Sequence, residues 1–265
     1  MKLNIVPART GLTWVRSGIS TFFKQPLALA GLFAIYAVAM SLLARIPVLG
    51  AAVSLLLVPA ASLAMMVAAQ QVASGKFPMP TVLLVAFRVG RERALAMLVL
   101  GLLYAAGWFG TITLAEAIFP PPPAQETATV AGQSQLAGFY LTVSLFSLPL
   151  SMLFWHAPAL VHWHGVAPVK SLFFSIVACL RNFRALLVFF LAWSAVVLPT
   201  VSVATLLAAA IGGPTMLASI FLPLLTLLTA MLLVSMYFSF RDSFVADEAP
   251  TPGEPHDATH TGRPD

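Results

Sequence analysis

From Ala185 to Phe240 the chain carries no charged residue. One straight apolar helix of that length would far outreach a hydrocarbon core about 30 Å thick, so the run has to turn back on itself. Gly212-Gly213-Pro214 supplies the break, which predicts two spans, at 186–211 and 215–240. The same logic places four earlier spans at 27–44, 48–70, 94–119 and 136–161. Arg45 and Pro47 mark the tight turn after the first. Pro120-Pro121-Pro122-Pro123 opens a polar loop over 120–135, because four prolines cannot continue a helix and favour a stiff extended segment. Only 9% of the 265 residues are charged and 60% are hydrophobic. A soluble domain carries roughly 25% charged residues, so this chain cannot cover a water-facing surface. The expectation is an all-α, polytopic helical membrane protein with six transmembrane helices over 27–240. An N-terminal segment (1–26) precedes them, and a disordered tail (241–265), rich in Pro, Asp, Glu, Thr and His, follows.

The basic residues orient this array. Lys2, Arg9, Arg16 and Lys24 precede the first span; Lys76, Arg88, Arg91 and Arg93 lie between the second and third. Lys170, Arg181 and Arg184 lie between the fourth and fifth, and Arg241 and Arg263 are in the tail. The opposite loops hold Arg45 alone. Short loops rich in Lys and Arg translocate poorly, so both termini are expected in the cytoplasm. Net charge is +5, and because the cations flank apolar runs, anionic lipid headgroups rather than nucleic acid are the expected partners. The opening segment lacks an apolar core ending at a small-residue cleavage site, so the first span is expected to act as the targeting signal. The lone Cys179 excludes an internal disulfide and a cysteine-rich metal site.

Three basic segments on the cytoplasmic side carry helical patterning of their own. Leu12, Val15, Ile19 and Phe22 recur at helical spacing in the first. Leu172, Phe173, Ile176, Leu180 and Phe183 do so in the third, and Val82, Leu83, Ala86 and Phe87 form a weaker set in the second. Each ends in a basic elbow and runs into a pair of spans. The expected unit is an interfacial amphipathic helix plus a transmembrane hairpin, used three times. Arg16, Lys24, Arg88, Arg91, Arg93, Lys170, Arg181 and Arg184 are the expected lipid-headgroup contacts. Packing against the end of the bundle is the alternative reading of these short helices.

Groups able to do chemistry are sparse. Glu116 falls near the outer end of the third span, close enough to Pro120 to reach water. His156, His162 and His164 lie near the end of the fourth, without a neighbouring Asp, Glu or Cys, and Pro158 interrupts the helix between them. They read as an interfacial Trp/His belt, with a metal site as the alternative. Pro59, Pro149, Pro199 and Pro223 predict kinks, which serve packing or line a solute path. Ala105, Ala106, Gly107 and Gly110 predict a small-residue contact face on the third span. No phosphate loop, nucleophile triad, paired carboxylates or metalloprotease motif occurs. No cofactor and no catalytic residue is assigned.

The run from Met1 to Arg9, with Gly11 and Trp14 and then Phe22-Phe23-Lys24-Gln25-Pro26, resembles a family of uncharacterised betaproteobacterial six-span inner-membrane proteins. Ala157-Pro158-Ala159-Leu160-Val161, and Ser175, Ala178-Cys179-Leu180 and Asn182, are similar to that family too. The resemblance covers Met1 to about Asp242, leaving the tail outside. More loosely, the helix-plus-hairpin pattern is similar to other bacterial six-helix families and to the membrane domain attached to some glycerophosphodiester phosphodiesterases, whose catalytic domain has no counterpart here. The family implies the bacterial inner membrane and the fold, and it brings no catalytic residues. The expected activity is non-enzymatic, exerted through lipids, a membrane-protein partner or a second copy of the chain. The rival readings are a small transporter or export component for an apolar or amphipathic solute, and a metal-dependent enzyme at the three histidines.

Overall fold

Gln25 and Pro26 show how this sequence cuts its helices. Helix α1 (Thr10–Lys24) ends where Gln25 leaves the helical region, at φ −145° and ψ 65°. Pro26 then opens α2 (Pro26–Leu43) at the first helical turn, where its missing N–H removes no bond. The computed structural model describes residues 2–47, 49–127, 129–211 and 213–245. Next come α3 (Leu49–Ala73), a 3-10 helix (Pro80–Leu84) leading into the single turn α4 (Val85–Arg88), and α5 (Arg91–Ile118). After them follow α6 (Val130–Phe154), α7 (Ala157–His164), α8 (Pro168–Arg181), α9 (Phe183–Ile211) and α10 (Gly213–Ser243). A two-residue antiparallel ladder pairs β1 (Lys2–Leu3) with β2 (Phe244–Val245).

Among the described residues, six helical stretches are long and apolar enough to cross a membrane: α2, α3, α5, α6 with α7, α9, and α10. The shortest, α2, has 18 residues and rises about 27 Å, close to the ~30 Å of a hydrocarbon core. Leu141, Leu198, Leu206 and Leu222 stand exposed on the outside of the bundle, a surface suited to lipid and not to water. The chain is therefore an all-α polytopic membrane protein.

Helix α3 forms the centre, packed against α1, α2, α5, α7 and α10, with Leu63, Ala64, Met66, Ala68 and Ala69 buried. Small residues set the helix spacing, as expected where no hydrophobic effect drives helices together in lipid. On α5 the close contact is made by Gly101, where a Cβ would fall on the Leu56 carbonyl oxygen of α3. This corrects the expected face: Gly107 meets Leu150 of α6, but Gly110 has nothing within 4 Å and Ala106 is exposed.

Several expected boundaries also move. Helix α6 begins at Val130, shortening the expected 120–135 loop, because the Thr129 hydroxyl accepts the Gly132 N–H at 3.0 Å and caps the helix. The fourth span breaks at Trp155-His156, since Pro158 offers no N–H to the turn before it. There the Ser175 hydroxyl takes the place of one helical rung. It accepts the His156 N–H at 3.0 Å and donates to the Met152 carbonyl at 2.7 Å. Residues 241–245 are not disordered, as expected for the tail, but complete α10 and β2. The rest of that tail lies outside the described residues, as do Val48 at the start of the expected second span and Gly212 in the expected break.

The reason for the ordered end is the N-terminal strap. Asn182, buried between α8 and α9, accepts the Val6 N–H at 2.9 Å through Oδ1. Its Nδ2 donates to the Asn4 carbonyl at 3.0 Å and to Ser243 Oγ at 3.4 Å. Asn4 in turn donates its backbone N–H to the Ser243 carbonyl and its Nδ2 to the Asp242 carbonyl, both at 2.9 Å. One amide side chain thus joins the first residues of the chain to the end of the last span.

Candidate functional site

The two amphipathic helices present opposite faces to the bundle. On α1, Gly11, Trp14, Val15, Gly18 and Phe22 are buried, a stripe of helical period rotated toward the glycines from the expected Leu12, Val15, Ile19 and Phe22. A Cβ on Gly11 would fall on the Ala185 carbonyl oxygen and lie 2.7 Å from Phe189 N. One on Gly18 would fall on the Ser235 hydroxyl and lie 2.8 Å from its Cα. These contacts seat α1 directly on α9 and α10. On α8 the buried face is instead Ser171, Ser175, Ala178 and Cys179. Of the expected apolar face, Phe173, Leu180 and Phe183 turn away from the protein, at 61%, 59% and 55% exposed, whereas Leu172 packs against the core and Ile176 is half-buried.

Between α1 and the end of α10 lies an open polar cleft of about 430 Å³, lined by Arg16, Ser17, Ser20, Thr21, Lys24 and Arg241, with Ala73 and Phe238. The α1 contributors share one side of the helix, at spacings of one, three and four residues. Lys24 and Arg241 each occupy the last turn of their helix, where the macrodipole favours a cation. Arg241 also stacks its guanidinium 5.0 Å from the centre of the Phe238 ring. Its Nε donates to Asp242 Oδ1 at 2.9 Å, and Trp14 Nε1 donates to Oδ2 of the same carboxylate at 2.9 Å. Three cations against one carboxylate leave an excess of positive charge, and hydroxyls stand beside it. That combination suits an anion with several acceptor oxygens, such as a phosphodiester.

Of the eight basic residues singled out from sequence, the cleft gathers Arg16 and Lys24. Arg88, Arg91, Lys170, Arg181 and Arg184 are exposed elsewhere. Arg93 is half-buried, and its Nη1 donates to the His162 carbonyl at 2.9 Å, so it ties α5 to α7. Arg241 and the three hydroxyl residues were not anticipated. Their only sequence signal was the spacing of Ser17, Ser20 and Thr21 with Arg16 and Lys24; Arg241 arrives through tertiary packing.

The histidines do not converge. His156 is buried, with Nδ1 3.9 Å from Cys179 Sγ and Nε2 3.4 Å from Ser239 Oγ. Ser239 also accepts from Trp155 Nε1 at 3.1 Å. The His162 ring stands against Trp163 and that of His164 against Phe240. No group of three His, Cys, Asp or Glu is placed to hold a metal ion among the described residues. Burial pushes the Cys179 thiol up to about 12, with a hydrogen bond to Ser175 working the other way, so it stays protonated and unreactive at neutral pH. Glu116 is exposed.

Within the spans, the cavities are apolar. One of about 130 Å³ between α9 and α10 is bordered by Val197, Phe221, Leu225 and Leu228, with Trp193 and Thr229. The Trp193 Nε1 donor is buried without a partner among the described residues.

No family model matches the chain, and no solved structure matches it. A probable inner membrane protein of Burkholderia thailandensis is 35% identical over 274 residues, which cover 97% of this chain and 98% of that protein. At that coverage the likeness runs through all six membrane-capable helices of the described residues, and the chain belongs to this family of bacterial inner-membrane proteins.

Proposed function

We propose that this is a non-enzymatic inner-membrane component that acts by engaging anionic lipid headgroups, or a partner docked among them, on its basic side. Both termini lie in the cytoplasm in this reading. The short helices α1, the 3-10/α4 segment and α8 are three copies of one interfacial unit, each followed by a hairpin of spans. The observation that carries the reading is the cleft in which Arg16, Lys24 and Arg241 converge with Ser17, Ser20 and Thr21. The outward Phe173 and Leu180 of α8 and Phe183 at the start of α9 support it, because an apolar face beside Lys170, Arg181 and Arg184 suits the boundary between headgroups and chains. Such a surface should select lipids by charge. When the protein is purified from membranes and reconstituted into mixed nanodiscs, anionic phospholipid is expected to be enriched in the retained pool. Indifference to headgroup charge, with no lipid carried through purification, overturns the reading.

A second reading, a small transporter for an apolar or amphipathic solute, is favoured by one observation. A buried N–H without a partner is costly inside lipid, and a solute bearing an acceptor oxygen would satisfy Trp193 beside its cavity. Solute flux in proteoliposomes that Trp193→Phe lowers at least about tenfold, a loss of about 1.4 kcal/mol and so the size of one hydrogen bond, would carry this alternative. Flux equal to empty vesicles removes it.

A further inference from the structure

We propose that the lateral groove between α6, α8 and α9 holds one acyl chain of an anionic phospholipid, whose headgroup rests on Arg181 and Arg184. This deepens the headgroup reading above by adding a second, separate binding place for the same lipid class. The groove measures about 310 Å³ and is walled by Leu148, Met152, Trp155, Phe183, Leu187 and Phe190, with Cys179 among its lining residues. That volume is at the lower end of ligand pockets, about 300–1,000 Å³. The walls carry no charge, so the body of the occupant is hydrocarbon.

Two features distinguish the groove from an ordinary lipid-facing furrow. The first is its rigid construction. Trp155 is fixed by its Nε1 bond to Ser239 and by edge contacts with Phe189 and Phe190, at 5.8 and 5.4 Å between centroids. Cys179 is fixed by its contact with the Met152 carbonyl at 3.6 Å. The groove is thus held open and not filled by its own side chains. The second is charge. No Asp or Glu occurs between Glu126 and Asp242, and among the described residues neither Arg181 nor Arg184 has an ion-pair partner.

Chain connectivity puts those cations near the groove's mouth: Arg181 and Arg184 are exposed and flank Phe183, a wall residue, at two and one positions along the chain. Phe183, Leu187 and Phe190 share one face of α9, and Arg184 precedes Leu187 by three residues, on the neighbouring row. Side chains lean toward the N-terminus of their helix, so Arg184, in the first turn of α9, reaches out toward headgroup level. From Phe183 to Phe190 the groove descends about 10 Å, the depth of the upper part of an acyl chain.

Trp155 provides the readout. The whole protein is placed in nanodiscs containing either phosphatidylglycerol or phosphatidylcholine brominated along the acyl chain, at equal bromine content and low mole fraction. The quenching assigned to Trp155 is obtained by difference from Trp155→Phe. A preference of about tenfold for the anionic lipid is expected from two arginines at headgroup level, and Arg181→Gln/Arg184→Gln should abolish it. Ser151 also lines the groove, so Ser151→Phe, which fills it, should lower quenching by both lipids. Should Trp155→Phe fail to fold, native mass spectrometry supplies the second measurement: one retained anionic phospholipid fewer in Arg181→Gln/Arg184→Gln than in the parent. Equal quenching by both headgroups, a preference unchanged by the arginine substitutions, or no quenching at all because a second copy covers the groove each overturns the proposal. Anionic selectivity that persists overall without a Trp155 preference sinks the groove and leaves the cleft between α1 and α10 intact.

Discussion

Replacing Gly11 and Gly18 together by alanine should unseat α1 and lower the melting temperature of the protein in detergent by about 10 °C. Both new Cβ atoms would meet backbone or a buried hydroxyl, not the end of a flexible side chain. Relief therefore requires α1 to move off α9 and α10. Overpacking of this kind costs about 1–3 kcal/mol per site, against a total stability of about 5–15 kcal/mol. Moving α1 also draws Trp14 away from Asp242 and separates Arg16 and Lys24 from Arg241, so the cleft should be lost with the stability. Gly110→Ala is the control, since nothing lies within 4 Å of its Cβ position. An unchanged melting temperature in Gly11→Ala/Gly18→Ala would mean that α1 is not held at this distance.

Asn182→Ala is the second large expected effect, and it should release the N-terminus. The substitution leaves the Val6 N–H and the Asn4 carbonyl without their partner. Stranded polar groups of this kind cost about 1–3 kcal/mol each, and less where water can reach them. Both groups are partly buried, so a total of about 2 kcal/mol is expected. The strap's own backbone bonds to Ser243 remain, and the loss should therefore be local. Hydrogen exchange at the Val6 amide should quicken at least about tenfold, and trypsin should cut at Arg9 early in digestion. Asn182→Asp separates the contributions, because it keeps an acceptor for Val6 while removing the donor to Asn4 and Ser243. Digestion of Asn182→Ala at the parental rate would show that the strap is held by β1 and β2 alone.

The parts of the fold that follow from hydrocarbon thickness and charge exclusion were legible in the sequence. An uncharged run such as Ala185 to Phe240 leaves few options, and the observed helices fall within a few residues of the expected spans apart from the early start of α6 and the break before α7. What the sequence concealed lies where contacts, not hydropathy, decide. On α1 the helical spacing of Leu12, Val15, Ile19 and Phe22 points to one stripe, yet the contact line runs through Gly11 and Gly18, because in a membrane close approach rewards small residues. Ser171, Ser175 and Cys179 form the packed face of α8, a choice that hydropathy alone does not signal. A hydroxyl that bonds the broken α6–α7 backbone is better placed inside than in water. Arg241 was assigned to the tail because charge and proline follow it; its place in the cleft depends on α10 continuing to Ser243, which the distant Asn4 and Asn182 hold in place. The specific N-terminal motif, read at first only as a family signature, gains a physical cause in that strap.

The central claim is that the basic cleft binds anionic headgroups, and spin-labelled lipids test it most directly. Electron paramagnetic resonance of the reconstituted protein gives the association of labelled phosphatidylglycerol relative to phosphatidylcholine. Three cations at headgroup level contribute about 1 kcal/mol each at most, so the parent should prefer the anionic lipid by at least about tenfold at low salt. That preference should shrink in 1 M salt, where screening acts within about 3 Å. In Arg16→Gln/Lys24→Gln/Arg241→Gln the ratio should fall to the part that Arg181 and Arg184 supply, and adding Arg181→Gln/Arg184→Gln should bring it close to one, whereas Arg88→Gln/Arg91→Gln should change it little. A parent that binds both lipids equally, or a cleft variant that keeps the parental preference, would contradict the account.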